Sequence, residues 1–232
     1  MLLTDTRAFP PRPPASLDNP EIITAHDHAA FDVVEVLKNH WERPGWDDER
    51  RALYWLLTFP DEADLIGSAR FCQEALAGLA LDPVPSDGLH VTLARVGEAA
   101  DVSTRMLDSL TAAVEDAGPR SFEVTAQPLS GSMGAVRFSL GPWRGLVELH
   151  QMLTVCGRRA GVPGGRGTSA FRPHLSIAYS SAAQPAAPVV ERVRGLRDRP
   201  AVPLRIARVD LVELRREDHV YRWDVLRQVV LR

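Results

Sequence analysis

Lysine is nearly missing from this chain of 232 residues: Lys38 is the single one among 27 basic residues, so the cations are arginines. Arginine's planar fork of donors suits carboxylates and phosphates, and a skewed genome composition yields the same bias. Cysteine is scarce too. Cys72 and Cys156 allow at most one disulfide and are too isolated for a zinc ligand set or a redox pair, so they read as small buried apolar residues in a reducing cytoplasm. Nowhere do about 18 apolar residues run together, which excludes a helical membrane span. The first twenty residues carry PPRPP and lack the apolar core of about 7 to 15 residues that a secretory signal needs. A cytoplasmic location is expected.

What is present is ordinary for a globular enzyme-sized chain: 45% hydrophobic, 25% charged, net charge -3. Mild acidity argues against indiscriminate binding to long duplex, which depends on many basic contacts to phosphate. The charge is uneven, however. From Arg166 onward there are 13 arginines against 7 acids, and before it 14 bases against 23 acids, which leaves room for a local anion site.

Residues 1–24 are expected to form a disordered Pro-rich leader, 25–50 an N-terminal helix (25–40) followed by an aromatic segment, and 51–232 the main domain. Within that domain, 51–59 reads as a buried strand, and Leu65, Ala69, Cys72, Leu76 and Leu79 as a helical stripe behind an acidic first turn. Strand 89–96 and a helix through Val102, Met106 and Leu110 come next, stopped by Gly118 and Pro119. The pattern then restarts: strands 122–129 and 135–140, helix 143–160, a Gly-rich loop, strand 174–179, a helix at 189–196, and long strands 202–214 and 220–230. HVTLAR at 90 and HLSIAY at 174 lie 84 residues apart in matching contexts, which predicts an internal duplication around 90 and 174. Close strand pairs after each copy favour antiparallel sheets, so the expected class is α+β.

Side chains alternate along a strand, so His90 and Thr92 share one face while Val91 and Leu93 take the other; His174 and Ser176 repeat this against Leu175 and Ile177. Two halves packed with these faces inward would bring two imidazoles and two hydroxyls to one cleft. One imidazole can remove a proton from a nucleophile while the other delivers one to a leaving oxygen, and the hydroxyls can hold phosphate oxygens. Such chemistry needs neither metal nor cofactor.

The paired HVTL at 90–93 and HLSI at 174–177 resemble the two-histidine phosphoesterase superfamily, whose bacterial branch is known as 2'-5' RNA ligase or RNA 2',3'-cyclic phosphodiesterase. The resemblance covers about residues 51–230, and HWERPGW at 40–46 is similar to members of the RNA ligase branch. It implies a bilobal fold of two antiparallel sheets with outer helices and a central cleft. It also implies opening of cyclic phosphates on nucleotides or RNA ends, or reversible joining of 2'-5' bonds. By matching position His90 and His174 become the catalytic pair, with Thr92 and Ser176 as phosphate ligands; Ser176 keeps the hydroxyl of the family's more usual threonine. The implied partner is a nucleotide or RNA end, without metal or membrane. A nucleotide- or RNA-binding module that keeps the cleft without turnover is the alternative.

Further candidates carry two readings each. Arg172 either reaches the phosphate or lies solvated outside the strand. Tyr179 and Arg95 border the cleft or serve packing and a surface ion pair. Trp41, Arg43 and Trp46 stack a base and meet a second phosphate, or cap the core. Arg166 in GGRG is a lid or part of a plain flexible connection. His26 and His28 point apart on a helix, against a shared metal; His150 and His219 are expected to be exposed.

Overall fold

The computed structural model describes residues 12–42, 47, 49–165 and 167–232. Five helices and eleven strands follow one another among the described residues: α1 (Pro20–Asp32), β1 (Val36–Leu37), β2 (Ala52–Thr58), α2 (Ala63–Ala75), β3 (Leu81–Pro83), β4 (His90–Glu98), α3 (Thr104–Ala117), β5 (Phe122–Gly131), β6 (Ala135–Gly141), α4 (Arg144–Arg159), β7 (Leu175–Ser180), β8 (Gln184–Pro185), α5 (Ala187–Arg194), β9 (Val202–Ile206), β10 (Arg208–Glu217) and β11 (Val220–Val230). The class is α+β, as the segment pattern predicts. Every strand pair is antiparallel, in a four-stranded sheet ordered β11-β10-β2-β4, a five-stranded sheet ordered β3-β7-β6-β5-β9, and the small pair β1-β8.

The two main sheets exchange strands. The hairpin β5-β6, which follows the first histidine strand, pairs with β7 of the second half, and β10-β11 pairs with β2 of the first. Helices α3 and α4 lie against the first sheet, and α2 and α5 against the second. β10 turns into β11 through Asp218 and His219, both with positive φ (44° and 60°), the twist that a two-residue hairpin turn requires.

The N-terminal helix departs from the expected 25–40. It starts at Pro20, where Asn19 accepts hydrogen bonds from the Glu21 and Ile22 amides, and the proline's missing N–H costs nothing in the first turn. It stops at Asp32, and Val36 and Leu37 pair with β8 instead of continuing it. So the helix begins inside the segment expected to be a leader. Its Phe31 ring sits so close to Gly131 that a Cβ there would fall 2.5 Å from it.

Helix α1 lies on β5 and β6. Arg137 of β6 is opposite Ser176 of β7, so their side chains share a face. On that face the Arg137 guanidinium meets Asp27 of α1 at 3.1 Å, with both residues buried. The Ser130 hydroxyl donates to the Asp27 carbonyl at 2.8 Å. Burial alone would push the Asp27 carboxyl up; Arg137, helped by His26 and Ser139, outweighs it and holds the carboxyl below its usual range. Strand β6 is thus buried along its whole length.

Removing one partner of such a pair strands the other charge without water, so Asp27→Ala is expected to cost about 3 to 5 kcal/mol in urea unfolding. An exposed carboxylate such as Asp61 changed to alanine supplies the control, with a cost within about 0.5 kcal/mol.

Candidate active site

His90 opens β4 after a short turn, and His174 sits immediately before β7. Their rings are held alike. His90 Nδ1 donates to the Gly88 carbonyl at 2.8 Å, and His174 Nδ1 to the Arg172 carbonyl at 2.9 Å, each acceptor lying two residues upstream. A carbonyl can only accept, so both neutral rings carry their proton on Nδ1 and keep Nε2 as the basic nitrogen. β4 and β7 belong to different sheets, yet their Cα atoms come within 8 Å of each other.

The alternation read from the sequence shows in the burial of the first histidine strand over residues 90–93, whereas β7 is buried on both faces. Val91, Leu93, Leu175 and Ile177 are buried, while His90 and Thr92 remain half-buried; Ser176 is buried, on the face that carries Arg137. His90 is further framed by Trp223 and Tyr221, with ring centroids 5.2 and 6.2 Å away. Burial penalises its charged form and the Gly88 carbonyl offsets this in part, so its pKa falls below the ordinary value.

Arg172 is buried rather than solvated. Its Nη1 donates to the Ser169 and Phe171 carbonyls at 3.0 and 2.9 Å, tying down the turn whose next carbonyl orients His174. Tyr179 stacks on His40 with centroids 4.0 Å apart and meets Trp41 and Tyr221 edge-on. Trp41 lies parallel to His219 at 5.0 Å, and its Nε1 donates to Asp82 at 2.8 Å. Arg216 donates to the Trp41 carbonyl and to the Tyr221 hydroxyl, which also bonds His40. Residues 36–42 therefore form a strap joining both sheets through one aromatic block, and Tyr179, Tyr221 and His219 line a depression together with His90. Arg43, Trp46 and Arg166 lie outside the described residues.

Some expectations need correction. His150 is 3% exposed, and burial pushes its pKa down to about 4; its ring meets the Thr168 hydroxyl at 3.2 Å. His219 is exposed as expected, yet bonded to Asp82 at 3.1 Å. The Gly-rich loop does more than connect: the Gly164 amide donates to the Val96 carbonyl at 2.7 Å, and a Cβ on Gly164 would fall 2.4 Å from that same carbonyl. It occupies one carbonyl on the open edge of β4. The sequence reading missed Tyr221, Trp223 and Arg216. Their alternation along β10 and β11 was visible, but not that these strands come back to the first histidine.

A family model described as the 2'-5' RNA ligase superfamily matches residues 60–218. The chain belongs to the 2'-5' RNA ligase superfamily. Membership assigns it to enzymes of the RNA ligase and phosphoesterase type. Among solved structures, E. coli LigT complexed with ATP superposes with a TM-score of 0.57 at 21% identity, covering 79% of this chain and 99% of that one. The apo form of E. coli LigT gives 0.59 at 21% identity, covering 79% and 98%, and TT0787 of Thermus thermophilus 0.57 at 18%, covering 78% and 97%. At these identities the likeness carries the fold. No curated protein matches the chain. The superfamily match begins at residue 60, so α1 and the strap lie upstream of it. Among the described residues no helix is long and apolar enough to cross a membrane, and no group of three or more His, Cys, Asp or Glu side chains could hold a metal ion.

The His90 environment has a direct readout. In an NMR titration its ring is expected to turn over below the ordinary histidine value of 6.5, staying neutral as the pH falls through that value. A midpoint at or above 6.5 would contradict the desolvated setting.

Proposed function

We propose that this protein is a metal-independent cytoplasmic phosphoesterase that opens cyclic phosphates on 2',3'-cyclic nucleotides or RNA ends, or reversibly makes and breaks 2'-5' bonds, with His90 and His174 as the acid/base pair. The observation that carries the reading is the matched Nδ1-to-carbonyl hydrogen bond at both histidines, which leaves Nε2 as the basic nitrogen of each ring, one at the start of β4 and one just before β7. In the hydrolytic direction one Nε2 takes a proton from water as its oxygen attacks phosphorus in line. A P–O bond of the ring breaks on the opposite side, and the second imidazolium protonates the departing alkoxide, leaving a monophosphate. Thr92 and Ser176 donate to the non-bridging oxygens, whose charge grows as the new bond forms. Arg172 acts as a positioning residue: its guanidinium ties down the Ser169 and Phe171 carbonyls, and its own carbonyl orients His174. Tyr179 shapes the wall beside His90 with Trp41 packed against it, and Trp41, Arg43 and Trp46 form one candidate substrate-binding segment.

A nucleotide ligand fits this reading, since crystal structures of the similar E. coli LigT hold ATP, NADP+ or 3'-AMP. Buried free thiols at Cys72 and Cys156 fit a reducing compartment, and burial raises the Cys72 thiol to about 11, far from a reactive thiolate.

His90→Ala and His174→Ala are each expected to lower kcat/KM on the best cyclic substrate by about 10² to 10⁴, with unchanged circular dichroism. Activity in EDTA should equal activity without it. Full activity in either folded variant would remove the pair from the chemistry, loss on chelation with recovery on added divalent ion would replace it with a metal mechanism, and tight binding without turnover would favour the binding-module alternative.

A further inference from the structure

Strict alternation from His90 and Thr92 would put Ala94 and Val96 on the catalytic face and turn Arg95 away from it. The register says otherwise. Thr92 pairs with Leu56 but Ala94 with Trp55, so Leu93 is an extra residue; Arg95 pairs with Tyr54 but Gly97 with Leu53, so Val96 is a second. Two bulges on one strand thus bring Arg95 and Glu98 onto the face of His90 and Thr92. The burial agrees, for these four are the half-buried residues of β4 and the other five are buried. On the neighbouring strand Tyr54 and Thr58 are the half-buried pair, opposite Arg95 and His90.

At the far end of this stripe two guanidiniums share one carboxylate. Arg95 Nη2 meets Glu98 Oε1 at 2.6 Å, and Arg50 grips both Glu98 oxygens, with Nε at 3.1 Å from Oε2. Arg50 first and Arg95 second hold Glu98 below its usual range, so the carboxylate they share stays charged. Arg95 Nε is buried and has no hydrogen-bond partner among the described residues, a donor without an acceptor. Tyr54, opposite Arg95 on β2, adds a hydroxyl whose pKa burial raises, so it remains a donor. Positions 54 and 56 on β2 are two residues apart, which sets Arg95 roughly 7 Å along the sheet from Thr92. That is about one nucleotide unit.

We propose that Arg95, Arg50 and Tyr54 form a second anion subsite that takes the phosphate next to the reacting one, so that the substrate is a ribonucleotide carrying two phosphate groups rather than a bare cyclic mononucleotide. The inference rests on the reading of the His90 and Thr92 face as the reacting-phosphate site. Phosphate is the shared chemistry of two sources, a terminal 5'-phosphate and an internucleotide diester.

Equilibrium binding tests it without turnover. Adenosine 3',5'-bisphosphate is expected to bind the full chain about tenfold more tightly than 3'-AMP by calorimetry, Arg95→Gln to bring that ratio near one, and Glu98→Gln to raise it by removing the competing carboxylate. Equal affinities in the unaltered protein, or a ratio that survives Arg95→Gln in protein with an unchanged melting curve, would overturn the subsite. In kinetics, a larger Arg95→Gln loss on a 5'-phosphorylated 2',3'-cyclic nucleotide points to the terminal phosphate, and a larger loss on a dinucleotide with a cyclic end points to the diester. No loss on either overturns the proposal. An Arg95-dependent ratio in a protein that hydrolyses neither substrate would keep the subsite and sink the acid/base reading, so the two can fail separately.

Discussion

Neither main sheet can close without strands from both halves of the chain. β5 and β6 leave the first histidine strand to pair beside the second, and β10 and β11 return from the second half to pair beside β2. Backbone hydrogen bonding in a buried sheet is obligatory, so this exchange determines where β4 and β7 run relative to each other before any side chain at their ends matters. Each histidine is then oriented by a carbonyl just upstream of its own strand, a local bond on a globally fixed frame.

The polar face of the second sheet shows how a segment upstream of the superfamily match is built into that frame. Arg137, Ser139 and Ser130 lie on strands whose other neighbours are apolar, and they are fully buried. A buried guanidinium is tolerable only with an opposite charge beside it, and α1 brings the Asp27 carboxylate to Arg137 and the Asp27 carbonyl to the Ser130 hydroxyl. The strap continues from this helix to the aromatic block, where the Trp41 indole N–H and carbonyl are both engaged, by Asp82 and Arg216. Helix and strap are therefore integral to both sheets.

What could be read in the sequence was what local periodicity encodes. Val91 and Leu93 announced the buried face at the start of the first histidine strand because its period of two holds up to the first bulge, and Gly118 marked the end of α3 because a left-handed cap favours glycine. The start of α1 was legible in Asn19 and Pro20, but the expected helix 25–40 ran on through Leu37, which is in a strand. β1, β3 and β8 are two or three residues long and carry no pattern. The expected strand 202–214 breaks at Ala207 because its two parts enter different sheets, a choice made by distant partners. The bulges at Leu93 and Val96 were invisible for the same reason: an extra residue is defined only against the strand it faces. So the repeated motifs at 90–92 and 174–176 could be picked out as candidates, whereas Tyr221, Trp223 and the company of Arg95 could not.

The strand exchange also determines what a single cut in the chain would do. A break between α4 and β7 leaves a longer piece holding β2 and β4 of one sheet with β3, β5 and β6 of the other, and a shorter piece holding β10 and β11 of the first with β7 and β9 of the second. Neither piece owns a complete sheet, and each fills the gaps of the other. The nicked molecule would stay together like two interlocked combs, and the two pieces would come apart only by unfolding.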